Sequence, residues 1–185
     1  LYGGLFKDMV GGLFSGYVDF ADMAGAAWAG GYVGLGANAG CVVSYGNGKC
    51  GPSDPVACYQ ALGMILRAVG YGKNGEFEGA DWELHVAQIA QQLKVLKNVK
   101  GVSLKAAASR ELVAELPFQV AAYVDTVEYT PAFGYVSNTV VNANAETLGE
   151  KNFNLTKSAD GEDDWGRPQY KWFSDDNGNK KVDTK

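Results

Sequence analysis

The sequence predicts a mainly α-helical chain in which one helix–loop–helix unit occurs twice, followed by a short β-rich C-terminal segment. Three observations carry this. Apolar residues recur at helical spacing in stretches between Trp28 and Val120, the pattern of helices with one buried face. A glycine-rich loop, Gly40-Cys41-Val42-Val43-Ser44-Tyr45-Gly46-Asn47-Gly48-Lys49, separates the first two of them. Finally, Trp28, Tyr32, Leu35 and Gly40 have counterparts in Trp82, Val86, Ile89 and Lys94 at a constant offset of 54 residues, a period that marks repeat architectures. The expected organisation is a Gly-rich apolar segment over 1–17, a first unit over 18–72, a divergent second unit over 73–125, and a β-prone segment over 126–185 that opens a further domain.

Taken in order, Leu1 to Ser15 contains a short echo, Gly3-Gly4-Leu5-Phe6 and Gly11-Gly12-Leu13-Phe14, expected to dock as an apolar strip because its glycines disfavour an independent helix. Asp22 is expected to cap the first helix, whose apolar face is Trp28, Tyr32, Leu35 and Ala39 and whose C-terminal cap is Gly40. Gly34-Leu35-Gly36-Ala37-Asn38-Ala39, with Asp54 further on, fits a dinucleotide fingerprint in letters only. That fingerprint needs a buried strand before the first glycine, where Trp28 to Val33 has helical periodicity. Tyr45 to Lys49 forms a turn in which glycine and asparagine accept positive φ. Ser53-Asp54-Pro55 then predicts a helix start with Asp54 as cap, Leu62, Ile65, Leu66 and Val69 on the core side, and Gly70 as its end. Arg67 either complements the dipole of that helix or faces solvent.

In the second unit Trp82, Val86, Ile89 and Leu93 form a cleaner amphipathic stripe, with His85 one residue off it as a boundary residue. Ser109 is expected to cap the next helix, which sets Leu112, Val113, Leu116 and Val120 against the core and is kinked or ended by Pro117. Beyond Tyr123 the segment Thr126 to Tyr135 is β-prone, and Asn177-Gly178 closes a hairpin between Trp172 and Val182. Asp163, Asp164, Asp175 and Asp176 are expected to be solvated turn acids, since the glycine and distal glutamate of a calcium loop are missing.

Composition bounds the function. Hydrophobic residues make up 46% and charged ones 20% of the 185, ordinary for a globular protein, but 25 glycines crowd toward the first third and imply tight turns. No run is apolar and long enough for a membrane span. A net charge of -5 argues against nonspecific nucleic-acid binding, which needs clustered Lys and Arg. The chain begins at Leu1 without methionine, so an excised or processed piece is expected, with any export signal upstream. Cys41, Cys50 and Cys58 show no metal-ligand spacing. Cys41 and Cys50 bracket the glycine-rich loop, and either a bridge across it or free thiols acting as small apolar residues fits them. There is no Ser/His/Asp set, no cysteine–histidine pairing and no phosphate loop, so no catalytic residue, metal site or cofactor is expected.

The ordered pattern Phe20-Ala21-Asp22-Met23, Trp28-Ala29, Gly31-Tyr32-Val33, Gly40, Tyr45-Gly46-Asn47-Gly48-Lys49, Gly51-Pro52 and Leu66-Arg67-Ala68-Val69-Gly70-Tyr71 resembles one S-layer homology (SLH) module. Asp81-Trp82, Gln88-Ile89-Ala90 and Ser109-Arg110 extend the resemblance to a second, more divergent module. Leu148-Gly149 to Trp172 is similar to the stretch after such modules in surface-layer proteins of Firmicutes.

The resemblance implies helix–loop–helix modules around a pseudo-threefold bundle in an exported protein of the cell wall or S-layer. Their role would be noncatalytic anchoring to an acidic, pyruvylated secondary cell-wall polymer, with other SLH modules or further copies in a surface lattice as additional partners. Such modules bind through a Thr-Arg-Ala-Glu motif opening the second helix, where guanidinium and backbone amides both favour a carboxylate. The first unit has Ala57-Cys58-Tyr59-Gln60 there, and the second has Ser109-Arg110-Glu111-Leu112. The resemblance therefore implies Arg110 as principal ligand residue, Ser109 beside it, and Tyr45, Gly46, Asn47 and Lys49 of the loop as partners. The alternative is a structural or lattice-forming scaffold that has lost glycan binding, or an Arg110 that only pairs with Glu111 or Glu115.

Overall fold

The fold was obtained as a computed structural model. It describes residues 20–137 and 145–153, and the backbone of strands within 155–162, 168–173 and 182–183. The Leu1–Ser15 echo, the Asn177-Gly178 turn and the acids Asp163, Asp164, Asp175 and Asp176 lie outside the described residues. Helix dominates, as expected. Two short 3-10 turns, Met23–Gly25 and Ala27–Ala29, lead into α1 (Gly30–Asn38); α2 (Cys58–Ala68), α3 (Trp82–Gln92), α4 (Arg110–Tyr123) and α5 (Leu148–Phe153) follow. A hairpin of β1 (Glu128–Thr130) and β2 (Gly134–Val136) stands between α4 and α5, and β3 (Leu155–Glu162), β4 (Pro168–Phe173) and β5 (Val182–Asp183) form an antiparallel sheet in that order. Trp172 pairs with Asp183 and Phe173 with Val182, so β4 and β5 form the antiparallel pair expected between Trp172 and Val182.

The chain divides into two compact units, one of Leu1–Ala68 with Gly72–Pro117, the other of Val69–Tyr71 with Phe118–Lys185. In the first, α2 buries Cys58, Leu62, Ile65 and Leu66, and α3 buries Val86 and Ala90, the positions that helical spacing puts on one side. Leu112 and Leu116 of α4 are buried as expected. Val113 is 40% exposed, since it lies a quarter-turn off the line of Leu112 and Leu116. Pro117 does not end α4, which runs on to Tyr123. In the second unit Val69, Val120, Val124 and Leu148 are buried, and the Val127 amide donates to the Val69 carbonyl at 2.8 Å. Gly70, with φ +109, is required there: a Cβ on it would run into the Val127 carbonyl.

Three expected features of the first helix pair are corrected. Asp22 caps no helix; its carboxylate accepts the amides of Cys50 (3.2 Å) and Gly51 (2.8 Å) instead. Trp28 falls in a 3-10 turn before α1 and is 76% exposed, and Tyr32 is 38% exposed. The buried positions of α1 are Gly30, Gly31 and Gly34, so it packs through its glycine face and leaves the rings outside. Asp54 is not a cap either. Val56 to Cys58 pairs in strand fashion with Ala106 to Ala108, which delays the start of α2 to Cys58.

The two units of the sequence repeat agree at the ends of their first helices. After α1 the amides of Gly40 and Cys41 bond the carbonyls of Ala37 and Gly36; after α3 those of Lys94 and Val95 bond Gln91 and Ala90. Each bond has its counterpart 54 residues on, and both are the paired C-terminal bonds of a Schellman cap, with Gly40 at φ +70 and Lys94 at φ +58. The starts do not agree. Trp82 is half-buried, edge-on to Tyr59 with ring centroids 6.4 Å apart, and Val86 is fully buried, unlike their counterparts Trp28 and Tyr32.

Candidate functional site: a cleft beside α2

The Tyr45–Lys49 loop is built by its own polar groups. Ser44 Oγ accepts the amides of Gly46 (3.2 Å) and Gly48 (2.9 Å), Asn47 Oδ1 accepts that of Lys49 (3.1 Å), and the Tyr45 amide closes the turn onto the Lys49 carbonyl at 2.9 Å. Gly46 and Gly48 sit at φ +91 and +76, where a side chain would strain the backbone. Asp22 then ties the far end of the loop through the Cys50 and Gly51 amides. Partial desolvation works against ionisation of this carboxyl, but the hydrogen bonds from Gly51 and Cys50, with the nearby charge of Lys49, hold it below the usual carboxylate range.

Behind the loop lies a cleft of about 670 Å³. One face of α2 supplies Gln60, Met64 and Arg67, spaced four and three apart; the loop supplies Tyr45 and Gly46; Trp82 opens α3 on the far side. Arg67 is half-buried. Its Nη2 donates to the Phe77 carbonyl at 3.0 Å while the guanidinium stands 5.3 Å from the centroid of the Phe77 ring. Burial lowers its pKa from the ordinary arginine value, with the charges of Glu78, Cys41 and Glu76 opposing that shift. Asp54 and Glu78 also line the cleft and are exposed.

Of the residues implied as ligands, Tyr45 and Gly46 line this cleft, whereas Asn47, Lys49, Ser109 and Arg110 do not. Ser109 takes its expected place as N-terminal cap of α4, its Oγ accepting the Leu112 amide at 3.2 Å. Arg110 is the first residue of that helix and is exposed. It starts close to α2: Ala57 bridges to Ala107, and the Ala108 amide donates to the Val56 carbonyl at 2.8 Å. Cys58, in the position where the resemblance expects an arginine, is fully buried and belongs to the core.

The helix starts differ in how they satisfy their first amides. A hydroxyl at the cap and an acceptor three residues on satisfy two amides reciprocally. At α2 only the second half is present, the Gln60 side-chain oxygen accepting the Ala57 amide at 2.7 Å; at α4 only the first is present, through Ser109. Thr147 and Glu150 form both halves at α5, with bonds of 2.9 and 3.2 Å.

Arg67 is the residue that sequence reasoning missed, and the available signal was its phase, seven residues after Gln60 on the side of α2 opposite Leu62 and Leu66. Cys41, Cys50 and Cys58 are free thiols. Burial raises the pKa of each, aided at Cys50 by Asp22 and opposed at Cys41 by Arg67 and Lys73, which favours the protonated form. His85 Nδ1 lies 2.8 Å from the Glu76 carbonyl, half-buried at the edge of the α3 stripe. Among the described residues no group of three His, Cys, Asp or Glu is placed to hold a metal ion, and no helix is long and apolar enough to cross a membrane. No family model matches the chain, and neither a curated protein nor a solved structure matches it.

Proposed function

We propose that this chain is a noncatalytic anchoring region of an exported, S-layer-type protein, built on two SLH-like modules and binding an acidic secondary cell-wall polymer. The observation that carries the reading is the combination of a glycine-built loop, an aromatic ring and a fixed guanidinium around one open cleft, with a second guanidinium, Arg110, at an adjoining helix start. Arginine at a helix N-terminus offers a carboxylate both a fork of N–H donors and the positive end of the dipole. Surface polymers with many repeating units allow such sites to act together, so each needs only modest affinity.

A second reading is a lattice-forming scaffold without glycan binding. It is favoured by Cys58, buried where the motif expects an arginine, and by the exposed Trp28 before α1 and Tyr32 on it. Sedimentation with purified cell walls separates the two. Anchoring predicts that the chain pellets with walls that keep their secondary polymer, pellets little with stripped walls, and pellets less when Arg110→Ala is introduced. If the wild type and Arg110→Ala stay equally in the supernatant with both preparations, anchoring by this region is wrong and the scaffold reading replaces it.

A further inference from the structure

We propose that copies of this chain associate head to tail, with Trp28 and Tyr32 of one copy docking on the outward face of α4 of the next. The contact inside the chain supplies the pattern. Trp82 stands edge-on to Tyr59 with centroids 6.4 Å apart, and a Cβ added to Gly63 would lie 3.6 Å from Val86 and 3.9 Å from Trp82. The first helix of the second unit thus rests, through Trp82 and Val86, on Tyr59 and Gly63 of the second helix of the first unit.

The repeat offset of 54 carries each side of this contact to an exposed face. Before Trp82 and Val86 it reaches Trp28 and Tyr32, 76% and 38% exposed; after Tyr59 and Gly63 it reaches Val113, 40% exposed, and the half-buried Pro117. The same offset governs the buried side of the second helices, where Cys58 and Leu62 match Leu112 and Leu116. The chain therefore holds this contact once, already made, and both halves of it again, unmade. Both open faces are apolar. No residue between Asp22 and Lys49 is charged, and from Val113 to Tyr123 α4 is charged only at Glu115, with Phe118 49% exposed on it. Exposed rings on an uncharged surface mark a face that is covered on assembly. Volumes also balance: Trp28 meets Val113, smaller than Tyr59, while Tyr32 meets Pro117, both larger than Val86 and Gly63. Because the two faces differ, the contact is heterologous, and each copy keeps one face open for the next.

Sedimentation velocity of the full chain, from about 10 µM to about 1 mM, is expected to show a mean mass that climbs with concentration past that of a dimer. Trp28→Ala with Tyr32→Ala removes one face, and Val113→Asp removes the other. Each variant alone should associate at least about tenfold more weakly than the wild type. An equimolar mixture of the two should form a dimer and stop there, because one intact face of each kind is left. A contact of like faces would give no such rescue. Wild-type association by either variant, no pairing in the mixture, or a wild type that stays monomeric throughout overturns the proposal, the last in favour of a further helix–loop–helix unit of a longer chain as partner of these faces.

The substituted residues are exposed, so the helical circular dichroism signal should be kept. Should Val113→Asp lose it, Ala114→Arg, on the next exposed position of α4, serves in its place with the same expected outcomes. The inference rests on the doubled unit and not on polymer binding. Association by a chain that does not pellet with walls leaves this contact and removes anchoring; pelleting by a chain that stays monomeric does the reverse.

Discussion

The carboxylate of Asp22 accepts the amide of Gly51 at 2.8 Å, across 29 residues of sequence, and with the neighbouring Cys50 bond it closes the loop that walls one side of the cleft. Gly51 itself sits at φ +62, and a Cβ there would collide with Asp54 and Tyr45. A residue that sequence spacing assigns to a helix cap is thus a long-range clasp on the loop.

Asp22 makes the loop acid-sensitive. Its carboxyl is held below the unfolded value of about 3.9, so its contribution is present above that pH and is lost as pH falls through the lower folded value. Denaturation midpoints between pH 6 and pH 2 should decline less in Asp22→Asn than in the wild type, and the variant should already be the less stable at neutral pH. Parallel declines would show that the clasp has no role.

Gly70→Ala should destabilise by more than about 2 kcal/mol, because it combines a left-handed backbone with a collision against the Val127 carbonyl. Gly46→Ala, where nothing stands within 4 Å of the added Cβ, should cost only the backbone strain, about 1–2 kcal/mol. Urea denaturation of both variants checks the order, and a reversed order would contradict it.

Lys94 holds φ +58 in a position whose counterpart, 54 residues earlier, is Gly40. Replacing it with glycine removes the strain and keeps the cap, so Lys94→Gly should stabilise by about 0.5–1 kcal/mol, and Gly40→Lys should destabilise by about as much or more. The pair of thermal midpoints tests whether the two helix ends are equivalent.

Placing at Cys58 the arginine that the SLH resemblance implies should not create a ligand site. Cys58 has no exposed surface, so Cys58→Arg buries an unpaired charge at a cost on the order of 3 kcal/mol or more and should give a poorly folded chain. Cys58→Val should remain folded. A folded Cys58→Arg with improved wall binding would mean that α2 starts in a different register.

The helical class, the core stripe of α2 and the end of α1 at Gly40 were legible because apolar spacing and glycine placement are local signals. Leu62, Ile65 and Leu66 have only to obey the helical period, whereas of the stripe expected in α3 only Val86 is fully buried, with Ala90 beside it and Trp82, Ile89 and Leu93 half-buried. What was not legible depends on distant partners. Trp28 has the right spacing to join a stripe but falls in a 3-10 turn, out of phase with α1. Asp54 looks like a cap, yet the pairing of Ala57 with Ala107 moves the start of α2 past it. Arg67 near a helix end gives no hint of the Phe77 ring and carbonyl that fix it over the cleft, since those lie ten residues on in a loop.

The most direct measurement is a titration of the labelled chain with a soluble fragment of the secondary cell-wall polymer, recorded residue by residue. Anchoring through the loop, the α2 cleft and the start of α4 predicts saturable shifts gathered at Tyr45, Gly46, Arg67 and Trp82 and at Ser109 and Arg110, and none when the acidic groups of the fragment have been removed. Shifts that fail to saturate, or that gather on the exposed Trp28 and Tyr32 instead, would contradict it.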